Sequence, residues 1–219
     1  MNEIKLLVCA GASFVILGVV MSCSPTRGLS YPHSLIPLDP KGRVYLDFRP
    51  ISNLDWREYM YDIKNHYGEH SPEYQATWPD TLAWRTHYPE ESFEHSILIH
   101  ANSPVVGITH SQADDYCKWR TRVVNQKFKL KLKFELPSSK IYDRVFSSKK
   151  FTVYAHLPNV KSPPSNTFYN LCGDTPEYTS DSTVILVRAN SIGQCVFTYF
   201  DRTKYTLPGF RCVAYRVSD

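Results

Sequence analysis

The stretch PVVGITHSQADDYCKWRTRVVN, Pro104 to Asn125, most constrains what this chain can fold into. Thr109 is a good N-cap, and Gln112 three residues later completes a capping box, so a helix starts there. Ala113, Tyr116, Cys117, Arg120 and Val124 then recur at helical spacing and line one stripe. Cys117 is therefore expected on the core side, either as a plain buried thiol or as half of a bridge.

The next segment changes period. KFKLKLKFEL, Lys127 to Leu136, alternates throughout, with Lys127, Lys129, Lys131 and Lys133 on one side and Phe128, Leu130, Leu132, Phe134 and Leu136 on the other. This pattern predicts a half-buried strand. Lysines on an outer strand face are the default, because they deter edge-to-edge pairing. The functional alternative is a cationic stripe that meets lipid head groups, lipopolysaccharide or an acidic partner.

Other elements read less sharply. Val44, Leu46 and Phe48 mark a strand within Gly42 to Ile51, and Ser52 or Asn53 caps a helix from Leu54 to about Lys64. His66 and His70 stand four apart, but Gly68 and Pro72 break the helix there, so they read as solvent-facing histidines. Residues 71 to 103 are polar and Pro-punctuated. They predict packed irregular structure anchored by Trp78 and Trp84, with ILIH, Ile97 to His100, as a short strand. A short helix follows Pro137, and TVILV, QCVFTYF and PGFRCVAYRV read as strands. At 219 residues the chain suits one domain with a sizeable core. A 42% hydrophobic and 21% charged composition excludes a disordered chain, and a net charge of +4 is too mild to argue for nucleic acid.

The N-terminus reads as targeting rather than structure. Lys5 precedes an uncharged run from Leu6 to Ser22, too short and wrongly flanked for a membrane span. It ends in VMSC, Val20 to Cys23, which resembles the lipobox of bacterial lipoproteins. The organisation implied is a signal peptide over 1–22, a lipidated tether over 23–42 beginning at Cys23, and a folded domain over 43–219. The alternative is a plain signal peptide or a single anchor helix. With Cys9 removed and Cys23 acylated, Cys117, Cys172, Cys195 and Cys212 remain. An even number in an exported chain suggests disulfides, and spacing does not choose among the three connectivities. No CxxC supports a zinc ribbon.

Several blocks together resemble the formylglycine-generating enzyme (sulfatase-modifying factor) family. PVVGITHSQADDYCKW is similar to P-V-x-x-V-[ST]-W-x-x-A-x-x-Y-C-x-W, and ELPSSKIYDRV to a weakened R-L-P-T-E-A-E-W-E-Y-A. NLCGDTPEYTSD is similar to N-x-x-G-N-x-x-E-W-[TV]-x-D, and GFRCV to the closing GFRC[AV]. VYLDFRPISNLDWREYM resembles the entry strand and first helix, and the blocks keep family order over residues 43 to 217. The resemblance implies an α+β, formylglycine-generating-enzyme-like (C-type-lectin-related) fold, loop-rich, with short antiparallel strands and two main helices.

It also implies a bond between Cys117 and Cys212, closing a loop of about 95 residues and worth about 4 kcal/mol in the chain-entropy model. Cys172 and Cys195 are left as a second bridge or as free thiols. The family's oxidases bind copper through a C-x4-C pair after G-G-S-[WY]. Here Ala189-Asn190 and Ile192 replace the glycines and the aromatic, and Phe200 stands five residues after Cys195. One thiolate does not make a two-coordinate copper site, so no copper is expected. The family's calcium loop maps onto Asn170, Gly173, Thr175 and Glu177, hard oxygen donors suited to Ca2+; the alternative is an Asn-capped loop without metal.

The implied class is the non-catalytic gliding-motility and type IX secretion lipoproteins of Bacteroidetes. That means a structural subunit lipid-anchored at the periplasmic face of the outer membrane and bound to envelope or secretion-machinery proteins. The alternatives are a formylglycine-type oxidase relying on Cys195 and a Ca2+-dependent glycan- or peptide-binding module.

Overall fold

The computed structural model describes residues 34–87, 93–128, 131–154, 166–171, 175–181, 183–189, 195–201 and 207–217. The fold is α+β. Its centre is a four-stranded antiparallel sheet, ordered β1 (Leu35–Pro37), β2 (Val44–Asp47), β9 (Val213–Arg216) and β3 (Leu132–Glu135). β4 (Thr152–Tyr154) pairs in parallel with β5 (Thr167–Tyr169), and β6 (Glu177–Tyr178), β7 (Thr183–Ala189) and β8 (Cys195–Asp201) form an antiparallel meander. The helices are α1 (Asn53–Tyr67), α2 (Pro72–Gln75), α3 (Thr81–His87), α4 (Phe93–Ile99), α5 (His110–Phe128) and α6 (Ser139–Ser147).

Strand alternation gives the central sheet two apolar faces. Ala214, Leu132 and Phe134 pack with α1 and α5, among Trp56, Tyr59, Tyr116, Cys117 and Val124. Val213 and Leu46 pack on the opposite side with Tyr142 and Val145 of α6 and Phe168 of β5. A buried central strand carries apolar side chains on both faces, which is why VA in β9 has no polar partner between its members.

Local sequence sets the helix starts. Ser52 is the N-cap of α1 and forms a reciprocal capping box with Asp55, while Gly68 ends the helix at φ +98°. Before α5, Thr109 N–H donates to Gln112 Oε1 at 2.7 Å and Gln112 N–H donates to Thr109 Oγ1 at 3.1 Å, the box expected from the sequence.

Three expectations change. α5 runs on through Lys127 and Phe128, so the strand begins at Leu132 rather than Lys127. Phe128 lies four residues after Val124 and continues the helical stripe against the core, which outweighs the period-two pattern at that point. Within 71–103 the described residues carry three helices, α2, α3 and α4, and Ile97–Ile99 close α4 instead of forming a strand. Pro72 sits in the first turn of α2 after the N-cap Ser71, a position where its missing N–H costs nothing. Finally, Leu35–Pro37, inside the expected tether of 23–42, joins the sheet as β1. Trp84 anchors its region as expected, 2% exposed, with Nε1 donating to the Val106 carbonyl at 2.9 Å. Among the described residues no helix is long and apolar enough to cross a membrane.

Candidate functional site

α5 carries Cys117 inward, and the segment entering β9 carries Cys212 to meet it. The two sulfurs lie 3.4 Å apart as free thiols, each almost fully buried. A bonded pair needs about 2.05 Å, so a shift of little more than 1 Å separates this arrangement from a bridge. Burial, then the hydrogen bond with Cys212, pushes the Cys117 thiol well above its usual pKa, against the opposing charge of Arg120. A protonated, enclosed thiol is a poor nucleophile and a poor metal ligand.

The packing around the pair is aromatic. Tyr116 stacks on Trp56 with centroids 5.7 Å apart and meets Phe210 edge-on at 5.3 Å. Gly209 is required before Phe210 by close approach: a Cβ there would sit 3.1 Å from the Val105 carbonyl oxygen and 3.4 Å from Thr175 Cγ2.

Three guanidinium–carboxylate pairs, two buried and one part-buried, tie the elements of the fold together. Arg120, one turn after Cys117, donates from Nη1 to Asp47 Oδ2 at 2.5 Å and from Nη2 to Oδ1 at 2.8 Å. The same Asp47 Oδ2 accepts the Cys212 N–H at 3.0 Å, so this carboxylate ties α5 to the β9 approach. Burial alone would lower the Arg120 pKa, but the Asp47 charge and hydrogen bonds leave it raised. Arg211 donates from Nε to Glu177 Oε2 at 2.7 Å and from Nη2 to Oε1 at 2.6 Å, and Tyr142 Oη donates to Oε2 at 2.8 Å. Arg49 donates to Asp55 at 2.6 Å and 3.2 Å beside the Ser52 cap. Burial would raise the Asp55 pKa, yet the Arg49 charge and hydrogen bonds from Arg49 and Ser52 hold it below its usual value. Each ion is paired and hydrogen-bonded, the condition under which buried charges are tolerated.

The structure thus brings Cys117 and Cys212 together. Asn170 follows β5 with φ +51°, the left-handed region that Asn tolerates, and Thr175 is half-buried. Glu177 is buried, and Arg211 and Tyr142 engage both of its oxygens. That fits poorly with calcium, since a divalent ion there would face a guanidinium and compete for an occupied carboxylate. Cys23, Cys172 and Gly173 lie outside the described residues, as does the Cys195 side chain; the Cys195 backbone opens β8 opposite Ala189. His66 lies in the last turn of α1 and His70 follows the helix, both exposed, and no group of three metal-ligating side chains occurs among the described residues.

Sequence reasoning missed the ion pairs. The available signal was Arg120 itself, a guanidinium on an otherwise apolar stripe, which requires a buried acid. No family model, no curated protein and no solved structure matches the chain.

Proposed function

We propose that this chain is a non-catalytic, lipid-anchored scaffold of the cell envelope, built on a formylglycine-generating-enzyme-like fold and serving gliding-motility or secretion machinery. The observation that carries the reading is the setting of Cys117 and Cys212. Their sulfurs sit between the longest helix and the closing strand, hemmed in by the Arg120–Asp47 pair and by aromatic rings. A redox centre acting on peptides needs access for its substrate and a readily ionised thiol. Burial denies this pair the access and holds the Cys117 thiol protonated, and the two sulfurs are placed to fasten two elements together. The order of elements supports the same reading: entry strand, capped helix, the Y-C-x-W helix, then the G-F-R-C strand beside β2.

Two measurements test it. Purified chain, supplied with copper and a cysteine-containing sulfatase peptide, is expected to leave the peptide unoxidised. Turnover abolished by Cys195→Ser would establish the oxidase instead. Crosslinking on native membranes, read by mass spectrometry, is expected to join the chain to envelope proteins. Intact mass is expected to show acylation at Cys23, placing the anchor on the outer membrane's periplasmic side when combined with protease shielding.

A further inference from the structure

The segment expected as a tether ends inside the fold, where β1 is the outer strand of the central sheet. Phe48 N–H donates to the Ser34 carbonyl and Leu38 N–H donates to the Val44 carbonyl, both at 2.8 Å. Ile36 and Leu38 reach the core beside Leu46 and Val213. Ser34 also meets the site, since Arg120 Nη2 donates to its Oγ at 3.4 Å. Just beyond Leu38 the chain is pinned again: Asp39 Oδ1 accepts the Arg43 N–H at 2.7 Å and the Val44 N–H at 3.0 Å. The other strands of this sheet are held on more sides. β2 and β9 each lie between two neighbours. β3, the opposite edge, is tied to α5: Leu132 N–H donates to Asn125 Oδ1 at 3.0 Å and Phe134 N–H donates to Thr121 Oγ1 at 2.9 Å. Among the described residues the β1 backbone is hydrogen-bonded to β2 alone.

We infer that β1 is a load-sensitive strap, released from β2 by pull through the tether before the rest of the fold yields. The inference rests on the lipid-anchored reading: a chain held at Cys23 and bound to machinery elsewhere passes the pull along the chain into Ser34. Load entering one end of a strand falls on its outermost bond first, here the one from Phe48 N–H to the Ser34 carbonyl. β9, loaded from its own end, shares the force between β2 and β3. Opening of a peripheral segment below the global stability is ordinary protein behaviour. Release of β1 uncovers the outer backbone edge of Val44–Asp47 and the side chain of Leu46, which is fully buried while the strap is in place. A strand edge of this kind pairs with an extended segment of another chain. The strap converts tension on the anchor into a docking edge.

The test is optical-trap pulling on the chain between a handle at residue 23 and a handle after Asp219. An early, reversible lengthening on the order of 20 Å is expected before global unfolding, as Ser34 to Leu38 swing about Asp39. Ile36→Ala removes buried apolar packing, so the open-to-closed ratio at fixed load should rise at least about ten-fold while the global step remains. Ser34→Cys with Phe48→Cys puts thiols on a hydrogen-bonded pair, where Cα atoms about 5.5 Å apart allow a bridge. The oxidised variant should lose the early step and regain it on reduction. The parent is read under both conditions, because reduction also opens any bond between Cys117 and Cys212. A synthetic peptide of the Ser34–Pro40 sequence, at millimolar concentration, should slow re-closure when the load is lowered. Unfolding in one step would overturn the inference. So would an early step indifferent to Ile36→Ala, one that survives the oxidised bridge, or re-closure unaffected by the peptide. Intact mass reads acylation of Cys23 separately: an unacylated chain would defeat the anchor reading, while the trap would still read the strap.

Discussion

Arg120 of α5 lies bidentate on Asp47 of β2, and Asp47 also accepts the backbone N–H of Cys212. One buried carboxylate therefore joins the longest helix, an inner strand and the chain's closing segment. Arg120→Met would leave that carboxylate buried with only the Cys212 amide. The expected cost is about 3 to 5 kcal/mol, read from urea unfolding. Part of it reflects lost stacking, since the guanidinium sits 4.4 Å from the Phe134 ring centroid. A change within about 0.5 kcal/mol, the usual scatter for surface sites, would show that the pair contributes no net stability.

The thiols 3.4 Å apart are placed to close a loop between positions 95 apart in the chain. Exported material is expected to carry them bonded, with two fewer alkylation sites by intact mass than after reduction. Bonding should raise stability by about 4 to 5 kcal/mol relative to the reduced chain. Cys117→Ser and Cys212→Ser should then lose similar amounts, and the double variant little more than either. Free sulfurs in exported chain, alkylated without prior reduction under denaturing conditions, would sink the staple.

Asp55 sets an acid limit. Its carboxyl is held below the ordinary value of 3.8 despite burial, by Arg49 and by hydrogen bonds from Arg49 and Ser52. The folded state therefore holds this proton less tightly than the unfolded state does. The contribution is present above the unfolded value and is lost as pH falls through the lower folded one. Asp55→Asn should destabilise the chain near neutral pH, and the gap from the parent should narrow once both are measured in strong acid. A gap that stays constant on acidification would show that the charge on Asp55 is irrelevant.

How much was legible follows from how local each signal is. Thr109 and Gln112 are three residues apart, so their reciprocal cap could be read directly, and with it the inward face of Cys117. Leu132 and Phe134 kept their period because the strand face they fill is buried. Phe128 fitted a helical and a strand pattern equally, and its tertiary contacts decided the matter. Gly68 ends α1 as its sequence suggests, whereas Pro72 opens α2 as a first-turn residue, a role that the breaker pattern alone does not distinguish. The Asp47–Arg120 pair spans 73 residues and carries no local pattern at all, so the polar heart of the site emerged only in three dimensions.

The remaining question for the site is what Glu177 does, and its partners answer it. Arg211 is fully buried and needs this carboxylate, with Tyr142 donating to the same oxygen that meets Arg211 Nε. The Arg211 pKa stays raised although burial alone would lower it, because the Glu177 charge and hydrogen bond outweigh desolvation. Drawing Glu177 toward a calcium ion would strip that guanidinium in a dry interior, at a cost of about 3 to 5 kcal/mol. Thermal unfolding is therefore expected to be the same in millimolar calcium as in excess chelator. Glu177→Gln should be strongly destabilising under both conditions, by a similar amount. A melting temperature that climbs with calcium, and a Glu177→Gln variant that loses only the climb, would show that the ion outcompetes Arg211 and that the loop from Asn170 to Glu177 is a metal site after all.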